Sequence, residues 1–222
     1  MQRKYAGMTL FYHHCSGMFF LHSHRKHNII NKISPGGGCM QVWNHFKTIT
    51  HHKWLVLCGC FRVGLYWQGL THDLSKYSPT EFLNGAKYYQ GTRSPNAAER
   101  EDKGYSEAWM HHKGRNRHHY EYWTDMSRET KNYESLPMPR KYLVEMVMDR
   151  RAACMTYQGK NYRDDSALIY FNRGLERDKM HPQTREELRY ILTMLAQKGE
   201  EETFRYLRDE VMAGKPFPWE EK

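Results

Sequence analysis

Apolar residues first settle into a sustained period near Val42. Phe46, Ile49, Trp54, Leu57, Phe61 and Leu65 recur at helical spacing through "VWNHFKTITHHKWLVLCGCFRVGLYWQGL". Gly59, Gly64 and Gly69 sit inside this stretch without ending it. The polar run "HDLSKYSP" does end it, and Ser78-Pro79-Thr80-Glu81 then reads as a new helix start. Serine stands at the N-cap, proline at the first helical position and glutamate at the third, the capping-box arrangement. This helix extends to about Tyr89 and stops near Gly91. "TRSPNAAEREDKG" is a polar, partly helical connection. Ser106 to His112 forms a short helix broken by Gly114, and His118 to Met126 forms another. Pro139 to Gln158 is an amphipathic helix carrying Tyr142, Val144, Met146, Val147 and Ala153, with Gly159 as its stop. A short helix follows Ser166. "HPQTREELRYILTMLAQKG" and "EEETFRYLRDEVM" form a terminal helical pair. No run alternates with the period of a strand, so the expected fold class is all-α.

Residues 1–40 break this pattern. They show no helical period and close on Pro35-Gly36-Gly37-Gly38. They read as a flexible extension, or as a mis-called start ahead of Met40, preceding a single domain over 41–222. A signal peptide fits poorly, because His13, His14 and Ser16 interrupt the apolar part and no small-residue cleavage site follows. His13, His14, His22, His24 and His27 are then incidental.

Composition narrows the classes. The 222 residues suffice for one domain with a sizeable core, and an aromatic share of 14% argues for a folded chain. No stretch approaches the ~20 uninterrupted apolar residues of a membrane span. The five cysteines are odd in number and irregularly spaced, which suggests reduced thiols and a cytoplasmic protein. Cys58 and Cys60 form CxC rather than CxxC, a weak metal signal. Five of the nine net positive charges fall within residues 1–40, which contain no acid. The remaining body is mildly basic, suited to a small anionic substrate at a local pocket more than to coating nucleic acid.

The candidate chemistry lies in the histidines and in a few acids set among apolar residues. "HHKGRNRHHYEYW", residues 111–123, places four histidines within nine positions. His72 and Asp73 adjoin where the first helical segment ends, and His52 lies 20 residues upstream on that segment. A straight helix would separate His52 from His72 by about 30 Å. They can share an ion only if the segment folds back, with a break near Gly59 or Gly64. Asp149 stands between Met146, Val147, Met148 and Ala152, where a buried carboxylate is costly unless paired or metal-bound. It could equally pair with Arg150, Arg151 or Lys141.

The order His52, His72-Asp73, Asp149 resembles the H…HD…D signature of the HD-domain metal-dependent phosphohydrolases. "HDLSK" is similar to the HD-x-G-K box of one branch, with Ser75 in place of glycine. The blocks "HFKTITHHKWLV", "YWQGLTHDLSKYSPTEF", "RSPN", "GYSEAWMHHKGRNRHHYEYW" and "MDRRAA" resemble more closely still an uncharacterised HD-like family of bacteria and phages, a domain of unknown function. This resemblance runs from about Trp43 to Ala196. It implies a helical bundle with a central metal site and no established reaction. By it, His52, His72, Asp73 and Asp149 are metal ligands, and histidines of the 111–119 block hold a second ion in two-metal members. Lys76 matches the basic residue that contacts phosphate in the HD-x-G-K branch.

The doublets refine that expectation. Only one of two adjacent side chains points at a given spot, so His112 and His118 are favoured as ligands. His111 and His119 then fall behind them, hydrogen-bonded to carboxylates such as Glu121. Asp73 and Lys76 are the candidate catalytic groups, and Lys76, Arg115 and Arg150 the candidate phosphate binders. Mixed nitrogen and oxygen donors suit one or two ions of Mn, Fe, Co, Ni or Zn without selecting among them. The function expected is hydrolysis of a phosphoester, a nucleotide or a related small phosphorylated anion, by a metal-activated water. The alternatives are a non-enzymatic helical module that binds nucleic acid or protein around a structural ion, and a di-iron oxygenase on the same scaffold. Nucleic acid is the second choice of partner, no membrane is expected, and a homo-oligomer is left open.

Overall fold

The computed structural model describes residues 37–174 and 179–220, and among these the chain is predominantly helical. Eight α-helices follow in order: α1 (Gly37–Arg62), α2 (Tyr66–Thr71), α3 (Pro79–Lys87), α4 (Pro95–Lys103), α5 (Glu107–Lys113), α6 (Arg140–Gln158), α7 (Ser166–Arg173) and α8 (Pro182–Tyr206). The expected N-terminal extension lies outside the described residues as far as residue 36. Residues 37–40, placed in that extension by sequence, are the first turn of α1.

The fold-back required by His52 and His72 occurs at Gly64. Its φ of +81° is a left-handed turn that costs glycine little, and it separates α1 from α2. The amide nitrogen of Leu65 returns to Cys60 O at 2.8 Å, so α2 packs back along α1. Lys53 secures the far end of the return by donating to the carbonyls of Leu70 and His72, each at 2.8 Å. A lysine on carbonyls at a helix C-terminus satisfies acceptors that the helix itself leaves open.

α6 is the central element. Leu143, Val144, Met146, Val147, Met148 and Ala152 are buried around its circumference, so it is less amphipathic than its sequence suggests. It packs on α1, α7 and α8, where Val56, Cys60, Phe171, Leu188, Ile191 and Leu192 meet it. Each fully buried side chain of this size contributes roughly 1.5–3 kcal/mol. The terminal pair is one helix interrupted at Gly199, whose φ of 76° and ψ of −179° kink α8 before a π turn at Leu207–Val211.

Two local expectations need correction. The segment after His118 is a 3₁₀ turn, Tyr120–Tyr122, followed by a two-stranded antiparallel hairpin of β1 (Thr124–Met126) and β2 (Tyr133–Ser135). Strands of three largely exposed residues are too short to display alternation. The capping box before α3 does not form either. Ser78 is the N-cap residue but makes no side-chain cap bond, and Glu81 is buried and turned toward α5.

α1 and α3 meet at His45 and Gly85. A methyl at Gly85 would lie 2.4 Å from His45 Nε2 and 2.6 Å from Cε1. Helix propensity alone would favour Gly85→Ala by about 1 kcal/mol. The clash with an enclosed ring reverses that, and we expect a net loss of about 1–3 kcal/mol, read as a lower urea midpoint. Unchanged or increased stability would mean that the ring yields.

His45 also carries a pH signature. Burial, and secondarily the charge of Lys76, lowers its pKa from 6.5 to about 4. The native state therefore binds fewer protons than the unfolded chain between those values, so this contribution is full above pH 6.5 and lost as the pH falls through about 4. His45→Gln is expected to flatten that part of the Tm-versus-pH curve relative to wild type. An unaltered slope would remove His45 as its source.

Candidate metal centre

The adjacent pair His72-Asp73 can face one point because of the backbone there. Asp73 has φ 53° and ψ 27°, a left-handed conformation, and opens the 3₁₀ turn Leu74–Tyr77. Aspartate tolerates this region better than most residues, but the conformation still costs on the order of 1 kcal/mol. It turns the Asp73 carboxylate to the same side as the His72 ring, with His72 Nε2 3.3 Å from Asp73 Oδ2.

Around that carboxylate four further elements converge. From α1, His52 Nε2 stands 3.7 Å from Asp73 Oδ2 and 3.0 Å from Asp149 Oδ1. From α6, Asp149 Oδ1 also lies 3.6 Å from His72 Nε2. From α5, His112 Nε2 is 3.2 Å from Asp73 Oδ1, and from the loop beyond it His118 Nε2 is 3.4 Å from the same oxygen. Three groups of donor atoms result, each spanning no more than 4.8 Å: two built on Asp73, namely His52, His72, Asp73 and Asp149, and Asp73, His112, His118 and His119, and the trio His72, His118 and Glu145. Asp73 belongs to the first two.

The chemistry of these atoms is the reason to expect a cation. The Nε2 atoms of His52, His72, His118 and His119 and the Oδ1 atom of Asp73 are buried without a hydrogen bond. Lys76 Nζ is ion-paired with Asp73 Oδ2 at 2.6 Å, but it is one charge among many acceptors. On the far side of the rings the Nδ1 atoms are well satisfied. Glu145 Oε1 lies 2.9 Å from His72 Nδ1 and 3.1 Å from His118 Nδ1. Glu81 meets His111 Nδ1 at 2.6 Å and His112 Nδ1 at 2.7 Å. An ionised carboxylate only accepts, so these Nδ1 atoms carry the proton. In the neutral rings of His72, His112 and His118 the Nε2 lone pairs then point inward at the oxygens of Asp73. Lone pairs that face one another in a buried site require positive charge between them, and carboxylate-backed histidines are the usual surroundings of a bound metal.

The electrostatics agree. Burial opposes ionisation of Asp73, but His72, Lys76 and His112 outweigh it and hold the carboxyl well below the usual range. Asp149 is likewise held low against burial by the His52, His72 and His118 rings beside it. Burial would lower His72, yet Asp73, Asp149 and Glu145 raise it well above an ordinary histidine. His119 goes the other way: burial, then the His118 and His112 charges, press it well below the usual value. The cluster takes positive charge either as protons on its rings or as a cation.

The centre forms part of the wall of a cavity of about 480 Å³. Lys76 and Arg150 line it, as do Trp109, Tyr157 and Tyr170. Burial works against a charged Lys76, but Asp73 and Asp149 raise its pKa, so the ammonium persists. Arg115 is exposed, donates to His111 O at 3.2 Å and is not among the lining residues. Glu121 lines the cavity, whereas the carboxylates behind the rings of His72, His111, His112 and His118 are Glu81 and Glu145. His111 sits on Glu81 and is in none of the donor groups, and His119, expected behind the ligands, belongs to the second group. Sequence reasoning missed Glu81 and Glu145. Glu81 was absorbed by the capping-box pattern. Glu145 left a usable signal: it precedes Asp149 by one helical turn, so two acids share a face of an apolar helix.

A family model described as a family of unknown function (DUF5662) matches residues 41–194, a span that contains every residue of the donor groups. No curated protein and no solved structure matches the chain.

Divalent transition ions are expected to raise Tm when added to metal-free protein, by the equivalent of about 2.7 kcal/mol at a hundredfold excess over Kd. Asp73→Ala, which removes the carboxylate common to the first two groups, is expected to abolish the increment. Thermal-shift titration of both proteins checks this, and an equal increment in the variant would place the binding elsewhere.

Proposed function

The chain belongs to the DUF5662 family, and we propose that it is a metal-dependent hydrolase of a small phosphoester. The observation that carries this reading is the set of orphaned Nε2 atoms gathered around the Asp73 carboxylate, beside a cavity that also presents Lys76 and Arg150. His52, His72, Asp73 and Asp149 would hold one ion, and Asp73, His112, His118 and His119 a second, with one Asp73 oxygen directed to each group. The donor order is that of the HD-domain phosphohydrolases, and the proposal sets this chain beside them. Mn, Fe, Co, Ni and Zn all suit such donors. A bound ion of this kind would lower the pKa of its water far below that of bulk water, to about 7, and so supply hydroxide at neutral pH.

The chain's own residues provide the rest. Lys76 and Arg150 take the charge of the phosphoryl oxygens, Lys76 as a point charge and Arg150 as a planar two-pronged donor. Asp73, held ionised, accepts a hydrogen bond from the attacking water and orients it. Trp109, Tyr157 and Tyr170 offer apolar wall to the organic part of the ester, and a nucleotide is one substrate of the right size and chemistry. Among the described residues no helix is long and apolar enough to cross a membrane, and the proposed substrate is a small molecule.

The test is metal analysis of protein purified without a polyhistidine tag, followed by phosphomonoester and phosphodiester assays with each of the five metals. Turnover is expected, abolished by His72→Ala and Asp149→Ala and reduced about 10²–10³-fold by Lys76→Ala, the cost of losing one charge-stabilising donor. Folded protein with neither metal nor turnover would remove the proposal. Iron with oxygen uptake and no hydrolysis would identify an oxygenase instead. Nucleic-acid or protein binding that survives both ligand substitutions would identify a binding module.

A further inference from the structure

We propose that Glu145 is a positioning residue that couples the two donor groups built on Asp73, because a single oxygen of it holds one histidine from each. Glu145 Oε1 accepts from His72 Nδ1 at 2.9 Å and lies 3.1 Å from His118 Nδ1. His72 belongs to the group with His52 and Asp149, and His118 to the group with His112 and His119. The inference rests on the metal reading of those groups.

The geometry distinguishes Glu145 from the other carboxylate behind the rings. Glu81 uses one oxygen for each of two rings, Oε1 for His111 and Oε2 for His112. Of these only His112 is in a donor group, so Glu81 supports one group alone. Glu145 instead offers both rings the same atom. The His72 and His118 rings lie 4.4 Å apart between centroids, and any displacement of that oxygen turns both. Glu145 is itself buried, at 5% exposure, and α6 fixes it one turn before Asp149, so it has little freedom to move independently of the site. Its acceptance sets the proton on Nδ1 in both rings, which directs both Nε2 lone pairs toward Asp73. A merely charge-balancing acid would leave the rings independent of each other.

The experiment is a Zn²⁺ titration of the full chain against a competing chelator of known affinity, for wild type, Glu145→Ala, Glu145→Gln and Glu81→Gln. Two Zn²⁺ steps are expected in wild type. Both should weaken together in the Glu145 variants, by about 10–100-fold, the usual effect of losing a carboxylate behind a ligating histidine. Glu81→Gln should weaken one step only. Glu145→Gln preserves side-chain shape and serves should the alanine variant not fold, circular dichroism being the check. A folded Glu145 variant that keeps either step at wild-type affinity overturns the coupling, as does a wild type with a single step. If wild type takes up no Zn²⁺, the metal reading fails on its own, and ring-nitrogen NMR then decides the positioning claim. Protonated Nδ1 on both His72 and His118 in wild type, lost from both in Glu145→Ala, supports it, and no change between the two proteins overturns it.

Discussion

The site depends on one constraint: hydrogen-bond acceptors from four parts of the chain are held face to face around the carboxylate of Asp73. Left alone in a buried setting such an arrangement is repulsive, and several of its participants are fixed from behind. Glu145 and Glu81 hold the imidazoles by their Nδ1 atoms. Lys53 ties down the carbonyl of His72. The left-handed backbone of Asp73 sets its carboxylate beside the His72 ring. The result is a compact demand for positive charge, of the kind that proteins meet with a metal ion.

The scaffold absorbs the cost of that demand by keeping the charged cluster at the edge of a conventional apolar core. α6 carries both functions on one helix. Leu143, Val144, Val147 and Ala152 are buried in the core it shares with α1 and α8, while Glu145 and Asp149, one turn apart, look into the donor cluster. Burying a charge in such a helix is unfavourable unless a partner is waiting. Here each acid finds histidines within about 3 Å. The aromatic and aliphatic wall of the adjoining cavity continues this logic, since it lowers the local dielectric response around Lys76 and Arg150.

Much of this was legible from residue patterns, and the limits are instructive. The helices announced themselves because a 3.6-residue period over ten or more positions survives small errors in boundary. The hairpin did not, because strands of three residues have no room to alternate. His52, His72-Asp73 and Asp149 stood out by motif, and the need for a break between the first two followed from helix rise alone. Arithmetic did not say which glycine would serve, and a positive φ at Gly64 rather than at Gly59 was settled by packing of α2 onto α1. Glu81 was hidden behind a local rule. Its spacing from Ser78 matches a capping box, yet two histidines some thirty residues onward compete for the same carboxylate and win, since an ion-paired hydrogen bond in a buried site outweighs an exposed cap.

The amino-acid sequence by itself determined the all-α class, the position of the long helices, the family, and a short roster of histidines and acids suited to holding a metal ion. Those properties depend on near neighbours and on composition, which a linear string contains in full. Only the tertiary structure decided that His112 rather than His111 joins the Asp73 donors, that both His118 and His119 do, that Arg115 stays outside the cavity, and that Glu145 reaches two rings at once. The angle at which a side chain leaves its helix is set by backbone turns and by packing against elements far away in the chain. Contacts between residues separated by 73 positions, such as His72 and Glu145, have no local signature to read.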